Sequence, residues 1–184
     1  MNEIKVTAYH EAGHAAMAVL FCMDTVLIHK VTAVPSIVKN ERRAGHIHYS
    51  ILGGMYKRQQ LANAMIILAA GVAEEILTGE KATILNGSWD DLGEWWEFAE
   101  KWELSDNKEV KIISLVEKTV KENWFLVQHI AEMLLDKKSL DGAEILASFY
   151  GWENLDKLND TLNIFNTEFE KLWPTIKRSR KVGA

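Results

Sequence analysis

Hydrophobic and polar positions along this chain repeat with two different periods, and each change of period marks an element. Residues 3 to 22 read as one helix, with Asn2 as its N-cap. Within it Thr7-Ala8-Tyr9 and Ala15-Ala16-Met17-Ala18-Val19-Leu20 carry no charge, which predicts burial. Residues 25 to 34 are rich in Val, Ile and Thr and predict a strand stopped by Pro35. A polar connection, Lys39 to Arg43, leads to a second short strand near Gly45 to Ser50. Gly53-Gly54 then breaks the chain before a long helix, about 56 to 78, ended by Gly79. Leu61, Met65, Ile66, Ile67 and Leu68 cover nearly all its faces, so it should be buried.

Further on, Trp95, Phe98, Ala99 and Trp102 are spaced as one face of an amphipathic helix. Residues 108 to 136 read as two helices or one bent one. Asp141-Gly142-Ala143-Glu144 has the form of a capping box opening a short helix to about 149. After Gly151, the residues Leu155, Leu158, Leu162, Phe165, Phe169 and Leu172 make a stripe ended by Pro174. That stripe is too short for a coiled coil, so docking onto the preceding residues is expected, with self-association or a protein partner as the alternative. The pattern predicts a mainly α (α+β) fold with a small two- to three-stranded sheet. It divides into residues 1–150 and a C-terminal helix with a basic tail, 151–184.

Composition fits a globular chain. It has 184 residues, 48% hydrophobic and 26% charged, enough for one good core. A net charge of −5 leaves no electrostatic footprint for nucleic acid, and the basic run Lys177 to Lys181 reads as a solvated tail. The single cysteine, Cys22, cannot form an intrachain disulfide and reads as a small core residue. No secretory signal is visible, and the apolar run Leu61 to Ala73 is too short to span a bilayer. The expectation is a cytoplasmic protein without membrane contact.

Chemistry enters with His10-Glu11-Ala12-Gly13-His14. Histidines four apart on a helix share a face and can present two imidazoles to one divalent ion, while the intervening glutamate can serve as general base. That is the arrangement of a zincin-type metallopeptidase. A catalytic zinc takes a third protein ligand. No histidine supplies it at the next spacing, because Met17 and Leu20 stand where Gly and His would be needed. The candidates are carboxylates: Glu74, Glu75, Asp90 and Asp91. Glu74, at the end of the long helix, is also suited to accept a hydrogen bond from the far nitrogen of a ligating histidine. His46 and His48 alternate along a strand, but a second metal site there is not expected, and His29 and His129 read as surface or packing residues.

Five ordered blocks carry a resemblance: Ala8 to Ala15, His29 to Pro35, Ala69 to Gly79, Asn86 to Leu92, and Leu134 to Ile145. Together they resemble the peptidase domain of the FtsH family of membrane-anchored, ATP-dependent zinc proteases, over about residues 4 to 148. The resemblance implies Zn2+ as cofactor and Asp91 as third ligand, with Asp90 in place of an Asn. Trp89 departs from a small residue there and becomes a candidate for substrate contact. An extended peptide is expected to add to the strand at 25 to 34, which makes Val31, Thr32 and Ala33 further substrate-binding candidates. The sequence contains no G-x-x-x-x-G-K-[ST] phosphate loop and begins nine residues before His10. The expectation is therefore an endopeptidase, ATP-independent by itself, acting on unfolded or flexible polypeptides. The alternatives are a subunit needing a separate ATPase, or a non-catalytic binding module.

Overall fold

A helix that is apolar all round has to sit in a core, and the first helix does. The computed structural model describes residues 3–21, 26–38, 41–43, 45–52, 57–79, 89–149 and 155–177. In α1 (Glu3–Phe21) every residue from Thr7 to Phe21 except His10 is buried. Its alanines allow close approach to α2 (Lys57–Thr78), whose Leu61, Ala62, Met65, Ile66, Ala69, Ala70 and Ala73 are buried. The seam is tightest at Gly13. A side chain there would begin 2.7 Å from the Ala69 carbonyl oxygen and 2.7 Å from the Ala73 Cβ.

α2 stops where expected: Gly79 has φ +70°, and its amide donates to the Glu75 carbonyl at 2.9 Å. By length and composition alone α2 could cross a membrane, although the sequence reading took its apolar run as too short. Its fully buried Leu61, Met65 and Ile66 belong to the domain's own core.

The sheet departs from expectation in a way that matters for function. β1 (Val26–Thr32) lies in the middle of a three-stranded antiparallel sheet, between β4 (His46–Ile51) and β5 (Ser139–Asp141). Lys30, Val31 and Thr32 pair with β4 on one side and β5 on the other. Ala33 donates its amide to the Lys138 carbonyl, which also accepts from the Thr32 hydroxyl. Val31, Thr32 and Ala33 are all buried. Val31 and Thr32, expected to receive an extended peptide, are thus flanked by strands on both sides, so no further strand adds beside them, and Ala33 is tied to Lys138. Among the described residues the outer strands are β4 and β5. The connection predicted at 39–43 also holds structure: β2 (Ser36–Val38) pairs with β3 (Glu41–Arg43) as an antiparallel hairpin.

The remaining helices close the core. α3 (Trp89–Lys101) buries Trp95, Phe98, Ala99 and Trp102, the predicted face and the residue just past its end. α4 (Asp106–Glu122) and α5 (Trp124–Lys137) break at Asn123, whose side-chain amide donates to the Thr119 carbonyl. Asp141 and Glu144 form the predicted capping box of α6 (Gly142–Ala147). In α7 (Leu155–Lys177), Leu158, Thr161, Phe165, Phe169 and Leu172 face inward. Phe21 of α1 meets Phe165 and Phe169 edge-on at 5.0 and 5.2 Å between ring centres, and the Thr161 hydroxyl donates to Asn123. α7 runs through Pro174 to Lys177. A proline removes one backbone hydrogen bond, which a helix this close to its end survives.

Gly13→Ala tests the α1–α2 seam. A helix gains about 1 kcal/mol from such a change, but overpacking against a carbonyl that cannot step aside costs about 1–3 kcal/mol. Thermal denaturation is expected to show a lower Tm. A variant as stable as the parent would mean that the two helices do not approach this closely.

Candidate metal centre

Three elements converge on one point. α1 presents His10 and His14 one turn apart, with ring centres 5.0 Å apart and ring planes nearly perpendicular. α2 supports both from behind: His10 donates from Nδ1 to the Glu74 Oε2 at 3.2 Å, and His14 donates from Nδ1 to the Ile66 carbonyl at 2.9 Å. These partners set the tautomer, because a neutral imidazole with its proton at Nδ1 offers a lone pair at Nε2. Both Nε2 atoms face Oδ2 of Asp91, in the first turn of α3, at 3.2 and 3.4 Å.

That spacing is itself a test of fit. Ligand atoms about 2.0–2.1 Å from a tetrahedral ion stand roughly 3.3 Å from one another. The His–Asp separations match this, and one donor atom from each of the three residues lies within 4.8 Å of the others. Two imidazoles and one carboxylate suit zinc, and also iron, manganese or cobalt.

The electrostatics follow from the same contacts. Burial alone would push the His10 pKa down. Hydrogen bonds to Asp91 and Glu74, together with the Glu11 charge, reverse this and raise it to about 10. His14 is raised in the same way, mainly by Asp91 against burial. Burial would raise Asp91, but the two histidines hold it far below the ordinary carboxylate range. Glu11 lies beside the cluster, buried to 4% exposure, and its charge acts on both histidines.

The structure thus brings together His10, Glu11, His14, Glu74 and Asp91. Val31 and Ala33 are buried at the end of β1, and the Thr32 carbonyl faces Gly45, whose position also faces Glu11. The side chain of Trp89 and all of Cys22 and Asn2 lie outside the described residues. His48 meets His29, with ring centres 4.8 Å apart, and His29 shares a 2.7 Å hydrogen bond with Ser50. His129 bonds Ser148 at 2.9 Å. Two contributors escaped the sequence reading. The Ile66 carbonyl carries no side-chain signal. Gly45, whose position faces Glu11, reads in sequence only as the start of a strand.

The sequence model of peptidase family M41 matches residues 1–102. An ATP-dependent zinc metalloprotease FtsH of Lachnoclostridium phytofermentans is 31% identical over 169 residues, covering 76% of this chain and 28% of that protein. The proteins of the same name from Opitutus terrae and Pseudomonas putida are each 37% identical over 92 and 99 residues. Those matches cover 48% and 50% of this chain, and 14% of each relative. The chain therefore spans less than a third of the length of these relatives.

Proton linkage makes the cluster testable. A histidine whose pKa is raised to about 10 adds stability that is full below its ordinary 6.5 and lost as pH climbs through 10. A carboxylate held low adds stability above its ordinary 3.8 and loses it as pH falls. In metal-stripped protein, the Tm advantage of the parent over Asp91→Ala is therefore expected to peak between about pH 4 and 6.5 and to shrink toward pH 10. Zinc binding at pH 7 should release at least one proton, read from calorimetric enthalpies in buffers of different ionisation enthalpy. No proton release would contradict the raised His10.

Proposed function

The chain belongs to peptidase family M41, and from that premise we propose that it is a zinc-dependent endopeptidase domain that hydrolyses peptide bonds in unfolded or flexible polypeptides. The observation that carries this reading is the convergence of both Nε2 atoms and the Asp91 carboxylate beside a buried glutamate. His10, His14 and Asp91 would hold the ion. When bound, it supplies Lewis acidity, lowering the pKa of water and polarising a carbonyl oxygen.

The protein's own residues supply the rest. Glu11 takes a proton from the attacking water as the new C–O bond forms, then gives it to the amine as the C–N bond breaks. Glu74 and the Ile66 carbonyl keep the protons of His10 and His14 on Nδ1, so that neither ring turns its donor side to the ion. An extended substrate would add to the outer edge of β4, which follows Gly45 and its contact with Glu11, and there gain main-chain hydrogen bonds. Such docking selects for unfolded chain, since a folded segment has no free strand to offer.

A second reading rests on the relatives' names, which describe ATP-dependent proteases. These 184 residues contain no phosphate loop. Unfolding of stable substrates would then depend on an ATPase outside them, and the domain alone, in a cytoplasmic setting, would cut only flexible chains.

Hydrolysis of casein by the zinc-loaded chain tests the proposal. Glu11→Gln is expected to keep about one zinc per chain and lose about 10²–10⁴-fold in kcat. Equal cleavage by parent and variant would remove Glu11 from the chemistry, zinc binding without any cleavage would contradict the proposal, and cleavage of casein but not of a stably folded protein would fit the second reading.

A further inference from the structure

We propose that Gly45 is a positioning residue for the general base, an inference that rests on the peptidase reading. A Cβ at residue 45 would stand 2.8 Å from both Cγ and Oε1 of Glu11, and 2.7 Å from the Thr32 carbonyl oxygen. These contacts leave no room for a side chain at residue 45, which is reason enough for a glycine there. The three atoms facing it differ in how easily they yield. Thr32 is paired with His46 in β4 and with Ser139 in β5, which fixes its carbonyl within the sheet. Glu11 is a flexible side chain on α1. The backbone entering β4 therefore rests directly on the Glu11 carboxylate and limits where that carboxylate stands. A side chain at 45 would displace the base while His10, His14 and Asp91, held by α2 and by one another, keep their places. The same contact puts the entry to β4 against the base, so a substrate that adds to β4 and the group that activates water share one reference point.

A misplacement of about 1 Å can cost 10²-fold in rate. The test compares the parent, Gly45→Ala, Glu11→Ala and the double variant, by zinc content, Tm, and kcat and KM on a flexible peptide. Gly45→Ala is expected to keep one zinc, to lose about 10–100-fold in kcat, and to change KM by less than about threefold. The Tm loss from Gly45→Ala should be larger in the parent than in the Glu11→Ala background, where two of the three close contacts are gone. Wild-type kcat, loss of zinc, or equal Tm losses in both backgrounds would overturn the proposal. If Gly45→Ala does not fold, folding of the double variant supports it and failure of both overturns it. Should the parent not cleave at all, the peptidase reading fails, while the Tm coupling still decides whether Gly45 positions Glu11.

Discussion

The organisation of this domain depends on how closely α1 lies against α2. The two helices meet through alanines and through Gly13, and the approach lets α2 reach both histidines from behind. Glu74 accepts the hydrogen bond from His10 Nδ1 and the Ile66 carbonyl accepts that from His14 Nδ1, one carboxylate and one main-chain oxygen. A wider seam would leave the rings free to turn, and two imidazoles that rotate independently do not make a preorganised site. Asp91 completes the cluster from α3, which is anchored by Trp95, Phe98 and Trp102. Packing and chemistry are therefore one arrangement: the residues that fill the core also set the tautomers.

The second constraint is the order of the sheet. β5 comes from far along the chain and pairs with residues 30 to 32 of β1, which puts β1 inside the sheet and leaves β4 and β5 as its outer strands. Gly142 makes this possible, since a Cβ there would collide with the Ile28 carbonyl as the chain passes from β5 into α6.

Much of this was legible in the sequence. The histidines four apart, the apolar all-round helices and the capping box at Asp141 are local signals, and each shows in the fold. Asp91 was not legible from spacing, since four carboxylates were open candidates until the resemblance singled one out; in the fold His10 and His14 stand against Asp91. What stayed hidden was long-range. A three-residue strand such as Ser139–Asp141 has no periodicity of its own, and its pairing with β1 takes away the free edge beside Val31 and Thr32. Main-chain contributions at Ile66 and the bare Cα of Gly45 are silent for the same reason: they depend on which element passes nearby and not on a side chain.

The central claim is that His10, His14 and Asp91 form one metal centre. X-ray absorption at the zinc edge of the loaded protein tests it most directly. The account predicts two imidazole nitrogens and at least one carboxylate oxygen at about 2.0–2.1 Å, with one imidazole lost in His14→Ala and an oxygen lost in Asp91→Ala. A coordination shell unchanged by both substitutions, or one with sulfur, would contradict it.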